Sequence, residues 1–118
     1  MTPRLETLCE ALAQALVARK LRMATAESCT GGLIAASCTQ LSGSSVWFER
    51  GFVTYSNAAK TESLGVPSSL IEANGAVSEE VAKAMAMGAL NHSHAQLSVA
   101  VTGIAGPTGG SAAKPVNN

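Results

Sequence analysis

Ser28 and Cys29 stand side by side in residues 25–32 (TAESCTGG), and either side chain can act as a nucleophile. Residues 23–26 before them predict a short strand, and the residues from Leu33 onward predict a helix. The pair would therefore lie on a strand-to-helix turn. Such a turn holds a side chain at the rim of a sheet and directs backbone N–H groups toward the same place.

The base that would activate this nucleophile is restricted by composition. A cysteine nucleophile calls for a histidine, but His92 and His94 fall at the exposed end of a predicted helix. The chain contains no aspartate, so a Ser-His-Asp triad cannot be built. A lysine is the remaining option, and Lys60 follows a second strand-to-helix turn. Lys60 as a surface residue and Ser28 as a turn hydroxyl bonded to its own backbone remain open alternatives at this stage.

A lysine base makes demands on its surroundings. The usual pKa of a lysine is about 10.4, whereas useful general bases have a pKa of about 7 to 8. Lowering it requires burial or a neighbouring cation, in a pocket with few carboxylates. Glu27 would oppose that shift if it pointed inward. Tyr55 ends the next predicted strand beside this site, and an ordinary strand aromatic is its alternative interpretation.

A glycine-rich segment is the third candidate. Residues 102–110 (TGIAGPTGG) follow an apolar predicted strand, and their glycines would let the backbone approach a ligand closely. No Gly-Lys-Ser/Thr follows, as a Walker A loop requires, and no helix opens after it, as a dinucleotide fingerprint requires. The segment is either a flexible connection or a rest for a phosphate or ribose, and we expect no regular structure after Val101.

The elements that would position these residues alternate between strand and helix. The pattern predicts a helix from Thr2-Pro3 to about Arg19, a strand over 23–26, a helix over 33–41, a strand over 47–55 with a bulge or close approach at Gly51, a short helix capped by Ser56 or Asn57 that carries Lys60 and ends at Gly65, another from Pro67 to about Asn74-Gly75, a helix opened by Ser78, and a strand over 97–101 buried on both sides. This alternation predicts a three-layer α/β sheet. The turns at 27–32, 55–60 and 102–110 would then converge where ligands bind in such sheets.

Composition excludes several function classes. The 118 residues predict one domain, and eight basic residues balance eight acidic ones, which argues against a nucleic-acid or anionic-membrane partner. No run of about 18 apolar residues and no secretory signal is present, so we expect a cytoplasmic protein. The three cysteines show no CxxC spacing and are expected to be reduced thiols. Neither a metal nor a cofactor is expected.

Four motifs carry a resemblance to a known family. TAESCTGG, GSSVWFERGFVTYSNAAK, GAVSEEVAKAMAMGAL and VAVTGIAGPTGGSAAKPV resemble, in order and spacing, the C-terminal domain of the competence/damage-inducible protein CinA, over about residues 5–116. Stand-alone members are bacterial nicotinamide-nucleotide amidohydrolases. The resemblance implies hydrolysis of nicotinamide mononucleotide to nicotinic acid mononucleotide and ammonia. It also implies an α/β/α fold with a mixed sheet.

The resemblance also implies roles for individual residues. Ser28 would be the nucleophile, Lys60 its general base and Tyr55 a neighbour that positions or polarises them. A second group of residues would bind the substrate. The backbone N–H groups of Cys29, Thr30 and Gly31 would be possible oxyanion donors. The edge that binds the substrate would be formed by Thr102, Gly103 and Gly106. Cys29 would otherwise serve packing, and a Cys29-dependent thiol enzyme is the weaker alternative.

The resemblance implies one departure, at the carboxyl end. Family members continue past the KPVG sequence into a further strand and helix, whereas this sequence reads KPVNN. We therefore expect a single domain missing its last strand and helix, with a folded core over 3–108 and a flexible tail over 109–118. Its open surface would favour a homo-oligomer. The alternative function is a catalytically inactive domain that binds a nucleotide or mediates association.

Overall fold

The computed structural model describes residues 2–105 and 116–117. In chain order the elements are α1 (Pro3–Ala18), β1 (Met23–Glu27), α2 (Leu33–Thr39), a 3-10 turn (Ser44–Val46), β2 (Phe48–Val53), α3 (Asn57–Leu64), α4 (Ser68–Asn74), α5 (Glu79–Asn91), β3 (Leu97–Val101), β4 (Ile104–Ala105) and β5 (Val116–Asn117). Helices and strands alternate as the sequence predicts. No helix among these residues is long and apolar enough to cross a membrane.

Hydroxyl caps begin three of the helices. The side chains of Thr2, Ser56 and Ser78 each accept a hydrogen bond from the backbone N–H three residues later. These bonds satisfy N–H groups that have no partner inside a helix. Gly65 ends α3 with a φ of 71°, a conformation that favours glycine. The predicted starts of α1, α3 and α5 are confirmed.

The main sheet has three strands in the order β2-β1-β3, and both pairs are parallel. Because the strands are parallel, their carboxyl ends meet at one edge, where Glu27 lies beside Val53 and Val101. The three-layer α/β prediction is confirmed. The resemblance implies a mixed sheet, but the strands that the structure describes in this sheet are all parallel.

Helices cover the two faces of this sheet. Ala24 and Ala26 of β1 pack into a buried cluster with residues of α3, α4 and α5. Met23 points the other way and packs with α1, α2 and Trp47. Successive side chains of a strand point to opposite faces, so β1 contributes its even-numbered residues to the α3–α5 side and its odd-numbered ones to the α1–α2 side.

Gly51 allows β2 to lie close to β1. A Cβ atom at Gly51 would lie 2.8 Å from the Thr25 Oγ1 atom, a distance that Cβ atoms do not adopt. The predicted close approach is therefore confirmed. The irregularity in the β1–β2 register lies instead between Met23 and Ala24, opposite Glu49.

Two expectations about the carboxyl-terminal part are wrong. Leu97 and Val99 are 39% and 40% exposed, although the apolar run predicts burial on both sides of β3. The reason is that β3 lies at the edge of the described sheet, where the α1–α2 side leaves it partly uncovered. The region after Val101 also contains regular structure, because β4 and β5 form a two-residue parallel pair. Most of the expected tail over 109–118 lies outside the described residues.

Candidate active site

A cavity of about 290 Å³ opens at the carboxyl-terminal edge of the sheet. Residues from all three expected turns line it: Ser28, Cys29, Tyr55, Asn57, Lys60, Ala76, Val77, Thr102 and Gly103. The edge where parallel strands end is the usual ligand position in open α/β sheets. The structure thus brings six of the predicted site residues to one cavity.

Ser28 follows directly after the central strand. Its N–H donates a hydrogen bond to the Val101 carbonyl at 3.0 Å, which extends the β1–β3 pairing by one residue. Continued alternation places the Ser28 side chain on the α3–α5 side, in line with Ala26. Ser28 is buried at 7% exposure, so its hydroxyl lies at the inner wall of the cavity.

Lys60 lies in the first turns of α3 and is only 2% exposed. Its Nζ atom donates to the Tyr55 carbonyl at 3.5 Å, a long hydrogen bond to a neutral group. Burial lowers the pKa of Lys60 from its usual value of 10.5. Among the residues described in the cavity wall, none is acidic, so no carboxylate there opposes the shift. The interpretation of Lys60 as a surface residue is wrong.

Tyr55 contributes differently from the other residues of the cavity. Its side chain is 80% exposed and forms part of the rim, while its backbone carbonyl accepts the Lys60 hydrogen bond. A phenol at the rim can contact a ligand that enters. The Tyr55 carbonyl is a hydrogen-bond acceptor for the lysine amine.

The other predicted residues are divided by the structure. Thr102 and Gly103 line the cavity, and the Thr102 hydroxyl donates to the Ala76 carbonyl at 2.9 Å. Thr30 does not reach it, because its hydroxyl donates to Glu27 and its side chain borders a different cavity. Gly31 is not in the cavity wall, and Gly106 lies outside the described residues.

Three residues of the cavity wall, Asn57, Ala76 and Val77, were not predicted from the sequence. Asn57 directly follows the Ser56 cap and precedes Lys60 by one helical turn, a spacing that could have indicated it. Ala76 and Val77 belong to the α4–α5 connection, and no local pattern marks them. The hydrogen bond from the Thr102 hydroxyl to the Ala76 carbonyl joins this connection to the glycine-rich segment at the cavity.

The wall of the cavity contains both a serine hydroxyl and a buried amine. A neutral amine can accept a proton from a hydroxyl, and its ammonium form can return the proton to a leaving group. Within the described part of the chain, no three metal-binding side chains come together.

A larger and more apolar cavity of about 700 Å³ opens on the α1–α2 side. Its lining residues come from α1, α2, β3 and the adjoining parts of the chain: Leu5, Leu8, Cys9, Leu12, Met23, Thr30, Leu33, Ile34, Ser37, Cys38, Leu97 and Val99. Apart from the Thr30 and Ser37 hydroxyls and two thiols, the lining side chains are hydrocarbon or thioether groups. The larger cavity therefore lacks the basic group that an acyl-transfer site requires.

Comparison with known proteins gives consistent matches. The family model for the CinA C-terminal domain matches residues 5–117. The chain is 57% identical over 113 residues to a nicotinamide-nucleotide amidohydrolase PncC of Enterobacter agglomerans, covering 96% of this chain and 69% of that protein. It is 59% identical over 111 residues to a CinA-like protein of Syntrophus aciditrophicus, covering 94% of this chain and 26% of that protein.

Solved structures give the same match. A competence/damage inducible protein CihA from Agrobacterium tumefaciens superposes with a TM-score of 0.94 at 50% identity, covering 98% of this chain and 70% of that one. A CinA superfamily protein from Escherichia coli superposes with a TM-score of 0.91 at 40% identity, covering 98% and 69%.

Proposed function

The chain belongs to the CinA C-terminal domain family, and on that premise we propose that it is an amidohydrolase that converts nicotinamide mononucleotide to nicotinic acid mononucleotide and ammonia. The name of its Enterobacter relative supports the reaction. The observation that carries the proposal is the placement of Lys60, buried and with a lowered pKa, in the wall of the cavity that also holds Ser28.

The first half of the proposed reaction forms an acyl-enzyme. Neutral Lys60 accepts the hydroxyl proton of Ser28 as the Oγ atom attacks the carboxamide carbon. The tetrahedral intermediate then collapses, the C–N bond breaks, and the Lys60 ammonium donates the proton that lets ammonia depart. The nicotinoyl group remains as an ester on Ser28.

The second half repeats these steps with water. Lys60 accepts a proton from a water molecule that attacks the ester carbonyl, and then returns the proton to the Ser28 oxygen. Nicotinic acid mononucleotide leaves with its new carboxylate. Because the Ser28 N–H is bonded to the Val101 carbonyl, it is not available to stabilise the oxyanion of the tetrahedral intermediate.

The remaining cavity residues fit a substrate-holding role. We assign Tyr55 to the rim beside the pyridine ring, and Thr102 with Gly103 to the opposite edge. The mechanism uses neither a metal nor a cofactor. The cytoplasmic location and the homo-oligomer stay predictions.

The experiment is ammonia release from nicotinamide mononucleotide by the 118-residue chain, with three variants. Ser28→Ala and Lys60→Met should each lower kcat at least about 10³-fold, because each removes one member of the reacting pair. Cys29→Ala, the adjacent residue in the same cavity, is the matched control and should keep most of the activity. Circular dichroism should show that all of them are folded.

Two outcomes would contradict this proposal. A folded wild-type chain that binds nicotinamide mononucleotide in calorimetry without releasing ammonia would be a binding domain, not an amidohydrolase. Loss of turnover in Cys29→Ala, with Ser28→Ala still active, would move the reaction to the thiol.

A further inference from the structure

Glu27 is a fully buried carboxylate, at 0% exposure, in the residue directly before Ser28. We propose that Glu27 is the positioning residue for Ser28, because its carboxylate closes the turn that carries the nucleophile. This inference rests on the proposed function, since it concerns how the Ser28 hydroxyl is held for the reaction.

Both oxygens of the carboxylate accept hydrogen bonds from the turn after Ser28 and from the first residues of α2. Its Oε1 atom accepts hydrogen bonds from the Thr30 hydroxyl at 2.6 Å and the Ile34 N–H at 2.9 Å. Its Oε2 atom accepts from the Ala35 N–H at 3.0 Å. A buried charge requires such compensation, and N–H groups at the start of a helix supply it.

Glu27 thereby takes over a capping role that no nearby side chain fills. The residue at the N-cap of α2 is Gly32, with a φ of 97° and no side-chain hydrogen bond. Gly31 before it also has a positive φ, of 62°. Two successive glycines would leave the turn with wide conformational freedom, and the bonds from Glu27 restrict that freedom.

Main-chain bonds anchor the other end of the same turn. The Glu27 carbonyl accepts from the Thr54 N–H at 2.9 Å, and the Ser28 N–H donates to Val101 at 3.0 Å. Both neighbouring strands therefore hold the backbone where Ser28 begins. The Glu27 side chain then holds Thr30, Ile34 and Ala35, so Ser28 lies between two anchored points.

The charge of Glu27 lies on the side of the sheet away from Lys60. Its bonds to α2 place the carboxylate on the α1–α2 side, whereas Ser28 points to the α3–α5 side. The negative charge thus stabilises the turn without favouring the ammonium form of Lys60. The same bonds occupy the Ile34 and Ala35 N–H groups, which are therefore not available to a phosphate.

The test compares Glu27→Gln with the wild type in the ammonia assay. An amide nitrogen in place of one carboxylate oxygen would face an N–H or O–H donor, so the turn must shift. A displacement near 1 Å can cost about 10²-fold in rate. We expect kcat to fall by about that factor while KM changes less than about twofold, because the residues that contact the substrate are kept.

A matched control separates positioning from stability. Leu16→Ala removes a buried side chain from the cluster on the same side of the sheet without touching the turn. It should lower the unfolding midpoint and leave kcat unchanged at temperatures where the variant is folded. If Glu27→Gln behaves in the same way, with a lower midpoint and an unchanged kcat, the positioning proposal is wrong.

A second variant covers the case in which Glu27→Gln does not fold. Thr30→Val removes one of the three hydrogen bonds and keeps the shape of the side chain. It should lower kcat severalfold at constant KM, whereas an unchanged kcat would refute the positioning role. A wild-type chain that releases no ammonia would overturn the proposed function itself. An active wild type with unimpaired Glu27 and Thr30 variants would overturn only the positioning role.

Discussion

On the α3–α5 side of the sheet, eight buried apolar residues of the described chain form one cluster, whereas the corresponding cluster on the α1–α2 side has four. The 700 Å³ apolar cavity opens on the second side. The same central strand supplies both, with alanines toward the first and Met23 toward the second. The proposed nucleophile and base both lie on the closely packed side.

This difference separates the buried amine of Lys60 from the buried carboxylate of Glu27. On the closely packed side Lys60 is only 2% exposed, and this burial lowers its pKa. The Glu27 carboxylate instead lies on the open side, and its hydrogen bonds restrict the turn from there. A charge that would disturb the base is therefore placed across the sheet from it.

The largest expected effect is on the closely packed side, at Gly88 of α5. A Cβ atom there would overlap the Leu64 carbonyl oxygen of α3, and a backbone atom cannot move aside as a side chain can. We expect Gly88→Ala to lower the free energy of unfolding by more than about 4 kcal/mol, measured by urea denaturation.

Gly43→Ala is the matched control on the other side of the sheet. Nothing lies within 4 Å of a Cβ atom there, and only its φ of 79° opposes the change. Gly43→Ala should lower the free energy of unfolding by about 1 kcal/mol. Equal losses at the two glycines would remove the contrast between a closely packed side and an open one.

The next effect concerns Lys60 and pH. Burial lowers the folded-state pKa of Lys60 from 10.5, so between the two pKa values the unfolded chain binds a proton that the folded chain does not. The contribution of Lys60 to the free energy of unfolding therefore rises with pH across that interval. At pH values below the interval the amine is charged in the folded protein, and the full destabilisation by a buried ammonium is present.

Lys60→Met should remove this dependence. We expect the variant to be more stable than the wild type at pH 7, and the difference to shrink as the pH approaches 10. Urea denaturation at several pH values measures both. Parallel pH profiles for the two proteins would mean that Lys60 is not buried from water, and the close packing assigned to its side would then be wrong.

Local chemistry explains what the sequence could predict. The caps at Thr2, Ser56 and Ser78 act over three residues, so the starts of these helices can be predicted from the local sequence. The convergence of Ser28, Lys60 and Thr102 follows from the parallel pairing of the strands, which the alternation of strands and helices already implies.

What the sequence could not predict depends on neighbours distant along the chain. The exposure of Leu97 and Val99 depends on which strands flank β3. The Thr30 hydroxyl turns to Glu27 because that carboxylate needs a donor, a requirement visible only once α2 is in place. Ala76 reaches the cavity because Thr102, 26 residues later, donates a hydrogen bond to it.

The smallest effect is a difference in thiol reactivity. It tests how far solvent enters the α1–α2 side of the sheet. Burial raises the pKa of Cys38 to about 11, with smaller contributions from the Cys9 thiol and the Glu27 carboxylate. Only the thiolate reacts with iodoacetamide, and at pH 8 a pKa of about 11 leaves roughly one thiolate in a thousand.

Cys38 borders the large cavity but is 3% exposed, whereas Cys29 is partly exposed at the candidate active site. We therefore expect native protein to take up one label, at Cys29, with mass spectrometry locating it, and urea-unfolded protein to take up three. In Cys29→Ala the fast label should disappear. Rapid labelling of Cys38 in the native protein would show that solvent reaches the buried cluster on the α1–α2 side. The Glu27 carboxylate would then not be shielded from solvent on that side, and its hydrogen bonds would restrict the turn less.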